Sequence, residues 1–317
     1  MDIFLSIIIP TYNHKKYIRQ AMNSVFIQKI SHNYEVLVGD DASDDGTQEI
    51  LEEYKKKYPD KIKLFLREKN IGATENCYEL YMSAQGKYIA HLDGDDYWTD
   101  CRKLQKQIDF LESNPSFIGT CHKFSTVNSD GNPVKKKLRW VKHKTVFSLK
   151  DFQGIYLPSQ PSTFVRKNIY LDKTRDFSFL YKIDRCTSDI TALLFFLSRG
   201  NFYCFDETMS AYRLSTSHSD SSVSQTRYRK NKQAIEQDLI MISNYERFVR
   251  EEFDGSVDMT LRRKELYTSA VIRCFKEKNF NGLSVLKKIR NGRSRILFFA
   301  YLPVGIVSRL IEKFGAN

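Results

Sequence analysis

The chain has 317 residues, 41% of them hydrophobic and 28% charged, with a formal net charge of +12. This length and composition exclude a disordered or fibrous chain and suit one large globular domain or two smaller ones. Residues 225–317 carry 19 Lys+Arg against 10 Asp+Glu, so most of the basic excess belongs to the last third, and no nucleic-acid motif accompanies it.

The elements alternate in chain order. Phe4–Ile9 is a β-branched run ended by Pro10 and reads as a buried strand. Lys15–Ile27 has helical apolar spacing. Tyr34–Val38 is a second strand, ended by Gly39-Asp40-Asp41. Asp44-Asp45-Gly46-Thr47 supplies turn and cap residues for a helix over Gln48–Tyr58. Ile62–Leu66 is the third strand, and Asn70-Ile71-Gly72 turns into a helix over Ala73–Ala84. Tyr88–Leu92 is the fourth strand and delivers Asp93-Gly94-Asp95-Asp96. A helix over Lys103–Glu112 and a strand over Phe117–Phe124 follow.

Residues 125–150 are polar and basic, as in a solvated hairpin or loop. Leu157–Thr163 forms a shaped loop ahead of a strand at Phe164-Val165, and Thr187-Ser188-Asp189 precedes an apolar helix, Ile190–Leu197. Tyr212–Ser224 is Ser-rich and reads as a mobile loop; from Gln225 onward the pattern is mostly helical.

Alternating strands and helices imply an α/β fold with a mostly parallel sheet, which binds ligands beyond the carboxyl ends of its strands. Pro10–Asn13, Asp40-Asp41 and Asp93–Asp96 all fall at such ends and are expected to converge on one crevice. Three carboxylates in four residues repel one another unless water, hydrogen bonds or a cation offsets the cost. A divalent cation suits them because hard cations prefer oxygen; a polar turn is the alternative. Neither GxGxxG nor GxxxxGK[ST] follows the first strand. Phosphate is therefore not held by a Gly-rich nest, which favours a nucleoside-diphosphate donor whose charge a metal offsets.

Ser6–Asn13, Val38–Thr47, Asn70-Ile71-Gly72 and the Asp-x-Asp pattern of Asp93-Gly94-Asp95 occur in an order that resembles the family 2 glycosyltransferases. The resemblance covers about residues 3–220. It implies a GT-A fold: a three-layer sandwich with a mostly parallel central sheet, followed here by a mainly helical carboxyl-terminal region. It implies a catalytic domain over 1–224 that binds a nucleotide-sugar; the basic, helical region over 225–317 lies beyond the resemblance and is read from its own pattern and charge. Pro10, Thr11 and Tyr12 would line the nucleotide pocket, Asp41 would bond the base, and Asn70 would approach the nucleotide. Asp93 and Gly94 would lie against the donor. Asp95, with His218, would hold a divalent metal, Mn2+ or Mg2+. Asp96 would either join them or cap the next segment. Arg213 would pair with the diphosphate.

Asp189 resembles the general base of inverting members; a helix cap is the alternative. The activity implied is transfer of a hexosyl or N-acetylhexosaminyl group from a UDP-sugar to a glycan or lipid-linked oligosaccharide, in capsule or exopolysaccharide synthesis. A sugar-nucleotidyltransferase and a non-catalytic nucleotide-sugar- or glycan-binding module are the alternatives. Two departures bear on specificity: Ser188 stands where many members carry Glu, and Glu75 where many carry Arg.

The six cysteines, at 77, 101, 121, 186, 204 and 274, show no CxxC pairing or zinc spacing. With no leader ahead of the first strand, reduced thiols and a cytoplasmic location are expected. Lys287–Arg295 is basic and precedes the apolar Ile296–Val307, which is too short to span a bilayer. This pair suits a helix lying on an anionic membrane surface, which would make the enzyme peripheral to the inner face of the plasma membrane; a terminal helix packed on the domain is the alternative.

Overall fold

A computed structural model describes residues 2–184, 189–214, 234–254 and 257–264. The chain divides into two compact units, Met1–Phe152 with Tyr156–Val223 and Gln153–Ile155 with Ser224–Asn317. The first unit opens with four βα repeats: β1 (Leu5–Thr11), α1 (Ile18–Phe26), β2 (Tyr34–Asp40), α2 (Thr47–Lys57), β3 (Ile62–Leu66), α3 (Ala73–Ser83) and β4 (Tyr88–His91), then β5 (Tyr97–Trp98) and α4 (Lys103–Ser113). It continues with β6 (Phe117–Val127), β7 (Val146–Phe147), α5 (Leu149–Phe152), β8 (Val165–Lys167), α6 (Phe179–Lys182), α7 (Asp189–Leu197) and β9 (Asn201–Arg213).

These strands form one nine-stranded sheet with the order β3-β2-β1-β4-β8-β6-β9-β5, and β7 pairs with β9. β1 to β4 pair in parallel, and β6 and β9 share their direction across the antiparallel β8. The sheet is therefore mostly parallel and lies between two helical layers. Leu5, Ile7 and Ile9 face one core with Ile18, Met22 and Val25 of α1, Leu51 of α2 and Ile108 of α4. Ile8, on the opposite face, is equally buried, on the side that α3 covers. Burial on both faces is why Ile7-Ile8-Ile9 in β1 is apolar without alternation.

Pro10 does not end β1, which continues to Thr11. The Pro10 carbonyl points to the β4 side and accepts from the Gly94 N–H at 3.0 Å. β4 has already ended at His91, opposite Ile8, so the missing proline N–H interrupts no ladder bond. The strands β5 and β9 have no counterpart in the sequence reading. β9 is long but irregular, with register shifts against β6, and five of its residues between Asn201 and Tyr212 are polar or charged.

In the second unit, α8 (Ala234–Phe253) buries Tyr245, Phe248 and Val249, and Arg263 donates to Glu246 at 2.8 Å. No described helix is long and apolar enough to cross a membrane. The basic and apolar segments at 287–307 lie outside the described residues.

Candidate active site

Parallel pairing of β2, β1 and β4 brings their carboxyl ends together, and backbone bonds join the segments beyond. The Asp41 N–H donates to the Thr11 carbonyl at 3.0 Å, and Gly94 N–H to Pro10. Thr11 Oγ1 lies 3.1 Å from His14 Nδ1, and His14 Nε2 lies 3.9 Å from Asp95 Oδ2. Tyr12 and Asn13 follow in the turn, with Asn13 at φ 54°. Gly94 is packed so tightly that a Cβ there would stand 2.8 Å from Thr11 Oγ1 and 2.9 Å from His14 Nδ1.

The two acidic residues after β2 do different work. Asp40 is fully buried and accepts from the Ser43 amide, the Ser43 hydroxyl and Gln48, so it shapes its own loop. Asp41 accepts the Ile71 and Gly72 N–H groups at 2.7 and 2.9 Å, while Asn70 Nδ2 donates to its carbonyl. Asp41 thereby holds the Asn70–Gly72 turn at the end of β2. Burial pushes its carboxyl upward, against the pull of those two amides.

The Asp93–Asp96 loop divides in the same way. Asp96 is buried, accepts the Arg213 N–H and the Ser162 hydroxyl, each at 2.8 Å, and so ties β9 to the loop before β8. Burial, then the charges of Asp95 and Asp93, push it well above the carboxylate range. Asp93 donates its N–H to Ser162 Oγ at 3.0 Å, and its Oδ1 lies 2.9 Å from His91 Nε2. Burial works to raise Asp93, but His91, His14 and the Ser162 hydroxyl together outweigh it and lower it. Asp95 is raised by burial and by Asp93 although His14 opposes them, and its side chain keeps 27% exposure.

Arg213, expected to face a diphosphate, is committed to the loops around it. Its Nε donates to the Asp95 carbonyl, Nη1 to the carbonyls of Asn128 and Ser129, and Nη2 to Gln20 Oε1. The guanidinium also sits 4.3 Å from the Tyr17 ring. Asp189 is in the first turn of α7. It lines a small cavity with Tyr81, His91, Phe164, Arg166 and Phe202. Burial, then Asp93, pushes its carboxyl up to about 6. Ser188 and His218 lie outside the described residues.

Four residues at this site escape the sequence reading: His14, His91, Ser162 and Arg166. The signal for His91 and Arg166 is a polar residue inside a buried strand; for Ser162 it is a polar residue in a rigid, Pro-containing loop. None of these signals names the partner, since Ser162 and Asp93 are 69 positions apart.

The sequence family described as glycosyl transferase family 2 matches residues 6–174, more than half the chain. An uncharacterized protein of Mycobacterium tuberculosis is 38% identical over 127 residues, 40% of this chain and 37% of that protein. The minor teichoic acid biosynthesis protein GgaA of Bacillus subtilis is 38% identical over 110 residues, 33% of this chain and 24% of its own length. The matched segment thus spans well under half of these relatives. Among solved structures, residues 1–349 of S. aureus TarS in complex with UDP-GlcNAc superpose with a TM-score of 0.54 at 17% identity, over 86% of this chain and 81% of that one. At that identity the likeness speaks for the fold, a GT-A-type α/β sandwich. On the family match and this fold together, the chain belongs to glycosyl transferase family 2.

Proposed function

We propose that this chain is an inverting, metal-dependent glycosyltransferase that moves a sugar from a UDP-sugar to a hydroxyl of a glycan or lipid-linked oligosaccharide. The observation that carries the reading is the separation of carboxylates into two environments. One set, Asp93 and Asp95, lies at the crevice end of β4; the other, Asp189, shares a cavity wall with His91 behind Asp93. Pairs of carboxyls driven to different protonation behaviour mark acid–base assignments.

Asp96 is committed to Arg213 and Ser162, and Asp93 to His91, which leaves Asp95 the least engaged carboxylate of the three, with His14 Nε2 3.9 Å away. A carboxylate in that condition fits a cation. No group of three or more His, Cys, Asp or Glu is placed to hold a metal among the described residues. Asp95 would therefore hold Mn2+ or Mg2+ together with diphosphate oxygens and water. When bound, the cation offsets the charge of the departing diphosphate. Asp41 and the Asn70–Gly72 turn that it holds form the wall suited to the base, and Thr11 and Gly94, packed on each other at the carboxyl ends of β1 and β4, would form the floor under the donor.

Asp189, titrating near 6, is mostly ionised at neutral pH yet basic enough to take a proton. It accepts the acceptor hydroxyl's proton as that oxygen bonds to the anomeric carbon. The bond from that carbon to the diphosphate breaks with its electrons on the diphosphate, so one displacement inverts the centre. The names of the relatives support a surface polymer as product.

Calorimetric titration with UDP, GDP and CDP, with and without Mn2+, tests the reading. Metal-dependent binding of UDP that is lost in Asp95→Ala supports it; no metal-dependent binding of any of the three overturns it.

A further inference from the structure

The cavity beside Asp189 has a second charged wall. Arg166 lies on β8, opposite Ile89 of β4 and Gly119 of β6, and is 4% exposed. Its guanidinium is held between two rings, 4.7 Å from Tyr81 and 4.6 Å from Phe196. Nε and Nη2 are buried without a hydrogen-bond partner. A buried cation so placed is costly unless an anion balances it, and the carboxylate lining the same cavity is Asp189.

We infer that Arg166 is a positioning residue for Asp189, supplying from a fixed place across the cavity the counter-charge that keeps this carboxylate ionised. The inference deepens the general-base reading of Asp189 and takes its catalytic meaning from it. The aromatic sandwich explains the choice of geometry. A bidentate Arg–carboxylate pair would occupy both carboxylate oxygens and depress their basicity. A guanidinium fixed by two rings needs no carboxylate to orient it, so its charge acts on Asp189 while the oxygens remain open to a proton.

The other groups acting on Asp189 come from every neighbouring element. Asp93 after β4 and Asp184 ahead of α7 favour its protonation, while His91 of β4 opposes it. Cys77 and Tyr81 of α3 and Tyr212 of β9 also face it, and burial raises each of them, which keeps them neutral. His91 is held by Asp93 and by the hydroxyl of Tyr81; Tyr81 also packs on Arg166, whereas the bond to Asp93 does not involve it. Changing Arg166 therefore removes one fixed charge and leaves His91 anchored on Asp93.

Carboxyl-carbon NMR of the full chain labelled at aspartate, with Asp189→Asn to identify the resonance, reads this directly. The wild-type midpoint is expected near the value of about 6. In Arg166→Gln it is expected to rise by about one pH unit. In Arg166→Lys, whose ammonium the rings do not fix, it should rise by a smaller step. Circular dichroism establishes that each variant is folded. An unmoved midpoint in a folded variant overturns the inference, and if Arg166→Gln does not fold, Arg166→Lys decides by the same criterion. Hydrolysis of UDP-N-acetylglucosamine separates the two claims. If Asp189→Asn turns over donor as fast as wild type while the Arg166 variants move the midpoint, the base reading fails and the coupling stands.

Discussion

Replacing Asp189 by Asn should make the protein more stable at neutral pH, by an amount that vanishes in acid. The Asp189 carboxyl lies at about 6 in the folded chain against an ordinary 3.8. Below 3.8 both folded and unfolded chains carry the proton, and the residue costs nothing. As pH rises toward 6 the unfolded chain releases its proton first, so wild type loses stability through that window. Above 6 the loss is complete. The gap corresponds to ~3 kcal/mol at 1.36 kcal/mol per pH unit, and partial exposure of Asp189 brings the expected figure to about 2 kcal/mol. The assay is urea unfolding of wild type and Asp189→Asn at several pH values from 4.5 to 7.5. It follows the fluorescence of Trp98, which is buried and donates to the Ser162 carbonyl. Subtracting the two curves cancels every other titrating group. The difference should grow with pH and level off above 7. A constant difference, or one that grows toward acid, would refute the argument that burial and Asp93 penalise the charged form.

Ser162→Ala removes the donor to Asp96 and the acceptor of the Asp93 N–H, leaving one buried and one part-buried group unmet. A loss of about 2–4 kcal/mol is expected in the same unfolding assay, and less than about 0.5 kcal/mol would contradict the assigned bonds. Gly94→Ala should destabilise by about 1–3 kcal/mol, because its Cβ must displace Thr11 and His14; calorimetry should show weakened UDP binding with it. Asp41→Asn turns an amide NH2 toward one of two backbone donors, and faster amide exchange at Ile71 and Gly72 is expected, with about 1–3 kcal/mol lost. Arg213→Lys keeps a charge but not the three-way donation to Asp95, Asn128 and Gln20. It should melt earlier while changing the salt dependence of UDP binding little; a large change in that dependence would return Arg213 to the diphosphate.

Much of this protein is local in its sequence. The apolar runs Leu5–Ile9, Val36–Val38 and Tyr88–Leu92 specify strands buried on both faces, and the helical spacing between them leaves a parallel sheet as the compact arrangement. That topology alone places Pro10, Asp41 and Asp93 at one edge, so the crevice was legible without coordinates. What the sequence could not determine is which charges are committed and which are open, because that depends on partners far along the chain. Asp95 and Asp96 are adjacent, yet only Asp96 meets Ser162 and the Arg213 amide, 66 and 117 positions away. Arg213 is expected at a diphosphate, and only the fold shows its guanidinium donating to loop carbonyls and Gln20; Arg166, just past the strand expected at Phe164-Val165, gains its setting only when Tyr81 and Phe196 close on it. The short β5 and the irregular β9 belong to the same class: their pairing energy comes from neighbours that tertiary structure supplies and not from their own period. Side-chain type is a local property, but the electrostatic work of a buried charge is set by its surroundings.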